Sequence, residues 1–211
     1  MLFIGKGFKN EYIFGAKHPI IYKHLICFKD ILMDKRLSLK ENVDQWFTLN
    51  RGTAHSEIFS AEKIVCPQRS SINCFGYNDL EWYAASDVFF ITNPQTGVYL
   101  KYILALLNSK LYYFWLYNKG KRKGNNLELT AKPLKEIPIL IANEADQKKI
   151  LRVIDNIIKA KRLDPSADTT ADEQEIDRLV YHLYGLTYDE VKIVDPETTI
   201  TEEEYNNGLY L

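Results

Sequence analysis

An α+β fold is predicted for this 211-residue chain by three features. Two short runs, AEKIVCPQR (61–69) and DVFFIT (87–92), are rich in β-branched and aromatic residues and stop at Pro67 and at Asn93–Pro94, as strands do. Long apolar stretches at helical spacing lie on both sides of them. After Asn143 the texture changes to amphipathic helix alone. The expected architecture is a small mixed β-sheet with packed helices over residues 1–141, followed by a helical C-terminal appendage over residues 142–211. Hydrophobic residues make up 46% of the chain, enough for a real core in one sizeable domain plus an appendage.

Each element has a local cause. His18–Pro19 opens the first helix, with Pro near the first helical position. Ile21, Leu25, Phe28 and Leu32 follow on one apolar face. The segment WFTLNRG (46–52) leaves that helix and turns at Gly52. Residues 99–117 predict one long buried helix. LEL (127–129) and IPIL (137–140) read as short extended pieces, and Pro138 assigns the second to a sheet edge. Residues 144–163 form an amphipathic helix with Ile150, Ile154, Ile157 and Ile158 on one stripe, broken by Asp164–Pro165. Thr170-x-x-Glu173 reads as a capping box for the next helix, whose apolar face is Ile176, Leu179, Val180 and Leu183. Gly185 suits a left-handed residue after its end. Thr187-x-x-Glu190 caps another short helix. From Asp195 the chain is acidic and without a cap, and fraying is expected.

Charge is distributed unevenly. The net charge of −1 divides into +7 over residues 1–141 and −8 over residues 142–211. A basic body joined to an acidic end suggests different partners for the two. The most concentrated positive feature follows the apolar stretch: Lys119, Lys121, Arg122 and Lys123, spaced by Gly120 and Gly124. Glycines let backbone approach a surface closely, and the cations could neutralise phosphates. The plain alternative is a solvated loop whose cations cap the helix C-terminus. Asn118, Asn125 and Asn126 favour the first reading, because side-chain amides read adenine edges. Arg51 and Arg69 each follow an ordered element and stand beside small polar residues, where recognition side chains tend to sit. An ordinary surface arginine or an internal ion pair is the alternative there.

Other classes find little support. Residues 98–117 carry Lys101, Asn108, Ser109 and Lys110 inside the span, which argues against a membrane crossing. The first eight residues show no signal-peptide pattern. Cys27, Cys66 and Cys74 are odd in number and form no CxxC pair, so a reducing cytoplasm is expected. Asn93-Pro94-Gln95 is similar to the base-gripping loop of amino-methyltransferases but lacks its second proline and aromatic, and reads as a turn. Glu190-x-Lys192 lies on a capped helix with no Pro-Asp partner on a preceding strand, so it makes no nuclease core. His18, His24, His55 and His182 are scattered, without metal-ligand spacing. No glycine-rich cofactor loop occurs.

Several segments in order, however, resemble the TaqI-like C-terminal specificity domain. They are RGTAHSEIFSAEKIVCPQR, FGYNDLEWYAASDVFFITN, YLKYILALLNSKLYYFWLYNKGKRKG and LKEIPI. HPIIYKHLICFKDILMDKR resembles the lead-in helix of that family, and EIDRLVYHLYGLTYDEVKIV the C-terminal end of such enzymes. The family is the target-recognition part of type IIG restriction–modification enzymes and adenine-specific DNA methyltransferases. The resemblance implies that this chain recognises double-stranded DNA and presents a target adenine to a methyltransferase domain that it lacks. It also implies no catalysis by this chain alone, no cofactor of its own, and S-adenosylmethionine, with Mg where DNA is cleaved, for the parent enzyme. Within LNSKL (107–111) Leu107 and Leu111 are expected in the core, with Asn108 and Ser109 bonding neighbouring backbone. Because loops differ widely among such domains, the DNA contacts assigned here rest on the residues themselves: Arg51, Arg69, Lys119, Lys121, Arg122, Lys123, Asn125 and Asn126. The rival readings are a protein-interaction module that docks a catalytic partner, and a divergent methyltransferase or nuclease.

Overall fold

The computed structural model describes residue 4 and residues 7–48, 57–84, 87–92, 94 and 96–207. Internal contacts divide the chain into two compact units, Met1–Ala61 with Glu81–Ala84, and Glu62–Leu80 with Ala85–Leu211. The change of charge and texture at residue 142 is a division of another kind.

The first unit is helical. Its described helices are α1 (Glu11–Lys17), α2 (Pro19–Leu25), α3 (Lys29–Ser38) and the single turn α4 (Glu57–Ser60). Asn10 caps α1 by accepting the Ile13 N–H at 3.0 Å. The helix expected to run on from Pro19 is interrupted by a 3₁₀ turn at Ile26–Phe28. As a result Phe28 drops off the apolar face and is exposed, while Ile21, Leu25 and Leu32 pack on buried Phe14, Trp46 and Phe47. Glu11 ties these parts together. Its carboxylate pairs with Lys29 at 2.9 Å and accepts the Trp46 indole N–H at 2.6 Å. Buried Arg36 donates to the Thr48 carbonyl at 2.6 Å and the Thr48 hydroxyl at 3.0 Å, which anchors the Trp-containing turn.

The second unit holds the strands, and the α+β class stands. The sheet takes the form of two antiparallel three-stranded sheets rather than one mixed sheet. The strands are β1 (Lys63–Pro67), β2 (Arg69–Ser70), β3 (Gly76–Asn78), β4 (Val88–Ile91), β5 (Lys121–Lys123) and β6 (Asn126–Glu128). One sheet has the order β3-β1-β4, the other β2-β6-β5. A single run of chain feeds both. Gln68 donates its N–H to the Asp87 carbonyl and accepts the Leu129 N–H on its own carbonyl. Pro67 has no N–H to give, so the ladder changes partners here.

The apolar stretch of residues 99–117 is two helices, α5 (Leu100–Asn108) and α6 (Lys110–Lys119), not one. Ser109 between them is buried and extended, with ψ 158. The Leu106 and Leu107 carbonyls and the Lys110 N–H take partners outside the helix ladder, while the Ser109 carbonyl starts α6 by accepting the Tyr113 N–H. Asn73 donates to the carbonyls of Leu107 and Ser109 at 2.8 and 2.9 Å, and the Ser109 hydroxyl donates to Leu106 at 2.7 Å. Asn108 exchanges two hydrogen bonds with the Phe75 backbone, and Asp177 accepts the Lys110 N–H at 2.7 Å. The expected backbone bonding by Asn108 and Ser109 is therefore present, and it breaks the helix.

Five further helices follow: α7 (Ala131–Glu136), α8 (Glu144–Leu163), α9 (Thr170–Leu183), α10 (Tyr188–Val194) and α11 (Glu202–Asn207). Ile150 and Ile154 of α8 and Ile176, Leu179 and Val180 of α9 are buried in one core with Ile64, Leu106, Leu107, Leu127 and Leu129. Residues 137–140 form no strand. Tyrosine hydroxyls satisfy that backbone instead: Tyr112 donates to Pro138 at 2.7 Å, Tyr102 to Leu140 at 2.6 Å, and Leu140 donates to Tyr184 at 3.0 Å. The box expected at Thr170 does not form: Thr169 is the N-cap but makes no side-chain cap bond, its hydroxyl donates to Glu173 instead, and Thr170 bonds Asp168. The Thr187–Glu190 box forms as read. Gly185 has φ 65, and its N–H and that of Leu186 bond back to His182 and Tyr181, a Schellman ending. The acidic end is capped rather than frayed. Thr201 and Glu204 exchange backbone and side-chain bonds at the start of α11, and Tyr205 is buried.

Candidate nucleic-acid interface

The cationic segment is a β-hairpin, where a loop was expected. Lys121–Lys123 pair with Asn126–Glu128 in the register Lys121↔Glu128, Arg122↔Leu127 and Lys123↔Asn126. Gly124 and Asn125 form the two-residue turn, with Gly124 at φ 62, as type II′ hairpins require at their first central position. Gly120 has a different role. A Cβ there would lie 2.4 Å from the Leu116 carbonyl oxygen, so only glycine lets α6 end and turn directly into the strand.

The third strand brings in Arg69, about fifty residues away in sequence. Arg69 faces Glu128 and Ser70 faces Leu127. Directly opposed residues share a sheet face, and the side-chain period is two. Arg69, Lys121, Lys123, Asn126 and Glu128 therefore stand on one face. Leu127, buried in the core, fixes the register by facing the other way. Arg122 is on Leu127's face but at the exposed edge, where its guanidinium lies 4.2 Å from the centre of the Tyr117 ring.

Glu128 organises the first face. Lys121 Nζ is 2.7 Å from its Oε2, and the Arg69 guanidinium 3.6 Å from its Oε1. The Lys121 hydrogen bond lowers the Glu128 carboxyl pKa, burial opposes this, and the charges of Lys121, Arg69 and Lys123 lower it further. The carboxylate side chain is only 10% exposed, whereas Arg69 and Lys121 are 48% and 67% exposed. The patch thus holds five cations, Arg69, Lys119, Lys121, Arg122 and Lys123, against one carboxylate, and every residue from 121 to 126 is exposed. Such a surface attracts a polyanion and presents pre-oriented N–H donors to it.

Of the residues picked out by sequence, Arg69, Lys119, Lys121, Arg122, Lys123, Asn125 and Asn126 are gathered on or beside this sheet. Lys119 is the last residue of α6 and the one cation of its last turn, so helix capping accounts for one of the four. Asn118 is turned back on its helix, donating to the Phe114 carbonyl at 2.8 Å. Arg51 lies outside the described residues, as do Asn93, Gln95 and His55. Sequence reasoning missed Glu128 and Tyr117. A lone acid between two leucines next to a surplus of cations was the available signal for Glu128. Nothing local announced the Tyr117–Arg122 stack. Glu190 serves its capping box, and among the described residues no three His, Cys, Asp or Glu side chains are placed to hold a metal.

Comparison with known proteins bears on this surface. The model of the TaqI-like C-terminal specificity domain matches residues 11–139. The type II methyltransferase M.MjaIV of Methanocaldococcus jannaschii is 27% identical over 181 residues, covering 85% of this chain and 60% of that protein. The type II methyltransferase M.HindII of Haemophilus influenzae is 28% identical over 153 residues, 67% of this chain and 29% of its own length. The chain therefore spans less than two thirds of these curated relatives. Among solved structures, the type IIL restriction–modification enzyme MmeI in complex with DNA matches 78% of this chain and 23% of its own, with a TM-score of 0.52 and 17% identity, which shows a shared fold. No described helix is long and apolar enough to cross a membrane. With its family model covering more than half of the chain, this protein belongs to the TaqI-like C-terminal specificity domain family, the recognition part of restriction–modification enzymes.

Proposed function

We propose that this chain binds double-stranded DNA sequence-specifically and presents a target adenine to a methyltransferase domain outside it. The observation that carries this reading is the β2-β6-β5 sheet. It collects Arg69 and the 119–126 cluster into one exposed basic surface on a rigid support. In this reading residues 1–141 are the target-recognition part and residues 142–211 a helical segment beside it. Exposed lysines position the duplex through its phosphates, and a few side chains read base edges. Arg122, held on Tyr117, and the amides of Asn125 and Asn126 are the assigned readers; Arg51 is assigned with them from sequence. The setting is cytoplasmic.

Catalysis is assigned to the parent, with S-adenosylmethionine bound there and a nuclease where the parent cleaves. One cavity of about 400 Å³ is lined by the apolar side chains of Phe89, Ile91, Ile103, Leu107, Leu134 and Ile137. Selection of bound duplexes from a random library, with and without the catalytic chain of a related enzyme, tests the proposal. A recovered motif containing adenine is expected. Specific micromolar binding of S-adenosylmethionine by this chain alone in calorimetry would overturn the pure recognition reading.

A further inference from the structure

Among the described residues two arginines lie over tyrosine rings, and they are held differently. Arg162 is 5.7 Å from the centre of the Tyr77 ring, and its edge is engaged by the Asp79 carboxylate at 2.7 Å. Arg122 is 4.2 Å from the centre of the Tyr117 ring, and among the described residues no acceptor takes its N–H groups. Stacking uses the face of a guanidinium and hydrogen bonding uses its edge. Arg122 is therefore held by its face, with its donors free at the exposed edge of the sheet.

Both ends of this contact are fixed. Tyr117 is in the last turn of α6, next to Leu116, and Arg122 faces Leu127 across the hairpin. Leu116 and Leu127 are buried in the same core. Tyr113, one turn before Tyr117, packs on that core and meets the Tyr117 ring at 5.9 Å between centres. Tyr117 itself is 40% exposed, so the stack stands at the surface. Arg122 is also set apart from its neighbours, because Arg69, Lys121 and Lys123 are on the opposite face of the sheet.

A free arginine side chain loses rotamer freedom when it docks, and one already stacked in the unbound protein loses less. We propose that Tyr117 is a positioning residue for base reading: its ring presets the Arg122 guanidinium for a bidentate contact with a guanine edge. This inference rests on the DNA-binding reading above and deepens it. Tyr117 touches no base in it, and phosphate neutralisation stays with the lysines.

The test compares two duplexes bound by the whole chain at low salt: the one recovered by selection with wild type, and a shuffled duplex of the same length and composition. Tyr117→Leu should weaken binding of the selected duplex about three- to tenfold and relax choice at one G·C pair. Affinity for the shuffled duplex and the salt slope should not change. Tyr117→Phe keeps the ring and should behave as wild type. In an Arg122→Ala background Tyr117→Leu should have no further effect, because Tyr117 acts through Arg122. A merely structural role would weaken both duplexes alike and in either background, and would overturn the proposal. So would a Tyr117→Leu variant that discriminates as well as wild type, or a Tyr117→Phe variant that does not. Wild type that prefers no duplex would overturn the DNA-binding reading, and this inference with it, which separates the two failures.

Discussion

The basic sheet and the acidic helical end hold the same kinds of ion in opposite proportion. In the sheet one carboxylate, Glu128, stands among the exposed cations Arg69, Lys121 and Lys123. At the helical end one ammonium, Lys110, stands among Glu173, Asp177, Asp195 and Glu197, with Asp177 and Tyr181 buried. Exposed charges stay hydrated and respond to bulk salt. Buried ones lose hydration, and the cheapest response is to take up a proton. A net charge of −1 conceals both behaviours. Where each charge sits decides whether salt or pH governs it.

The strongest way to break the comparison is to remove the core beneath each region. Leu127→Ala and Leu179→Ala should each cost about 2–5 kcal/mol, since both side chains are buried. Urea denaturation measures the cost. Where each variant is still folded, Leu127→Ala should also weaken DNA binding, because Leu127 fixes the register of the basic sheet. Leu179→Ala should leave it in place. Equal loss of DNA binding in both would mean that the two regions are not separable.

A pH profile sharpens the comparison next. Asp177 rises from 3.8 to about 7 on folding. Between those values the folded chain binds more protons than the unfolded one, so stability falls as pH rises from about 4 to about 7 and is level above. The contribution is at most about 4 kcal/mol. Asp177→Asn can still accept the Lys110 N–H, and should flatten this part of the profile. Superimposable profiles of wild type and variant would show that Asp177 is ionised throughout.

Smaller effects belong to the sheet surface. Arg122→Ala should leave the thermal midpoint unchanged. If Arg122 grips a guanine edge, the change should cost about tenfold in affinity and relax choice at one base pair, as a specificity profile would show. The least effect is expected for Glu128→Gln. Its midpoint should barely move, while affinity for all duplexes rises slightly, since a negative charge has left the patch. A marked loss of affinity would instead make the carboxylate a reader of bases.

Much of this was legible in the sequence, and the failures share a cause. Apolar spacing located α8 and α9, the Thr187–Glu190 box was local, and Gly185 announced its left-handed turn. The break at Ser109 was not legible, because it is made by Asn73 and Asp177, both far away in sequence. IPIL alternates like a strand, yet three tyrosines from distant helices take its backbone groups. At the candidate site the cations were visible as a cluster, but not that Arg69 joins them. That follows from β2–β6 pairing, a long-range choice that periodicity does not encode.

The salt dependence of DNA binding tests the central claim most directly. Affinity should be measured across a salt series for wild type and for a variant with Lys119, Lys121, Arg122 and Lys123 all changed to Ala. The chain should be tested alone at low salt and also with the reconstituted catalytic part. Each phosphate neutralised contributes about −0.9 to the slope of log affinity against log salt, so the variant's slope should flatten by roughly 2 to 4. An unchanged slope and unchanged site preference in both settings would contradict the account, and would leave the hairpin as a solvated end to its helix.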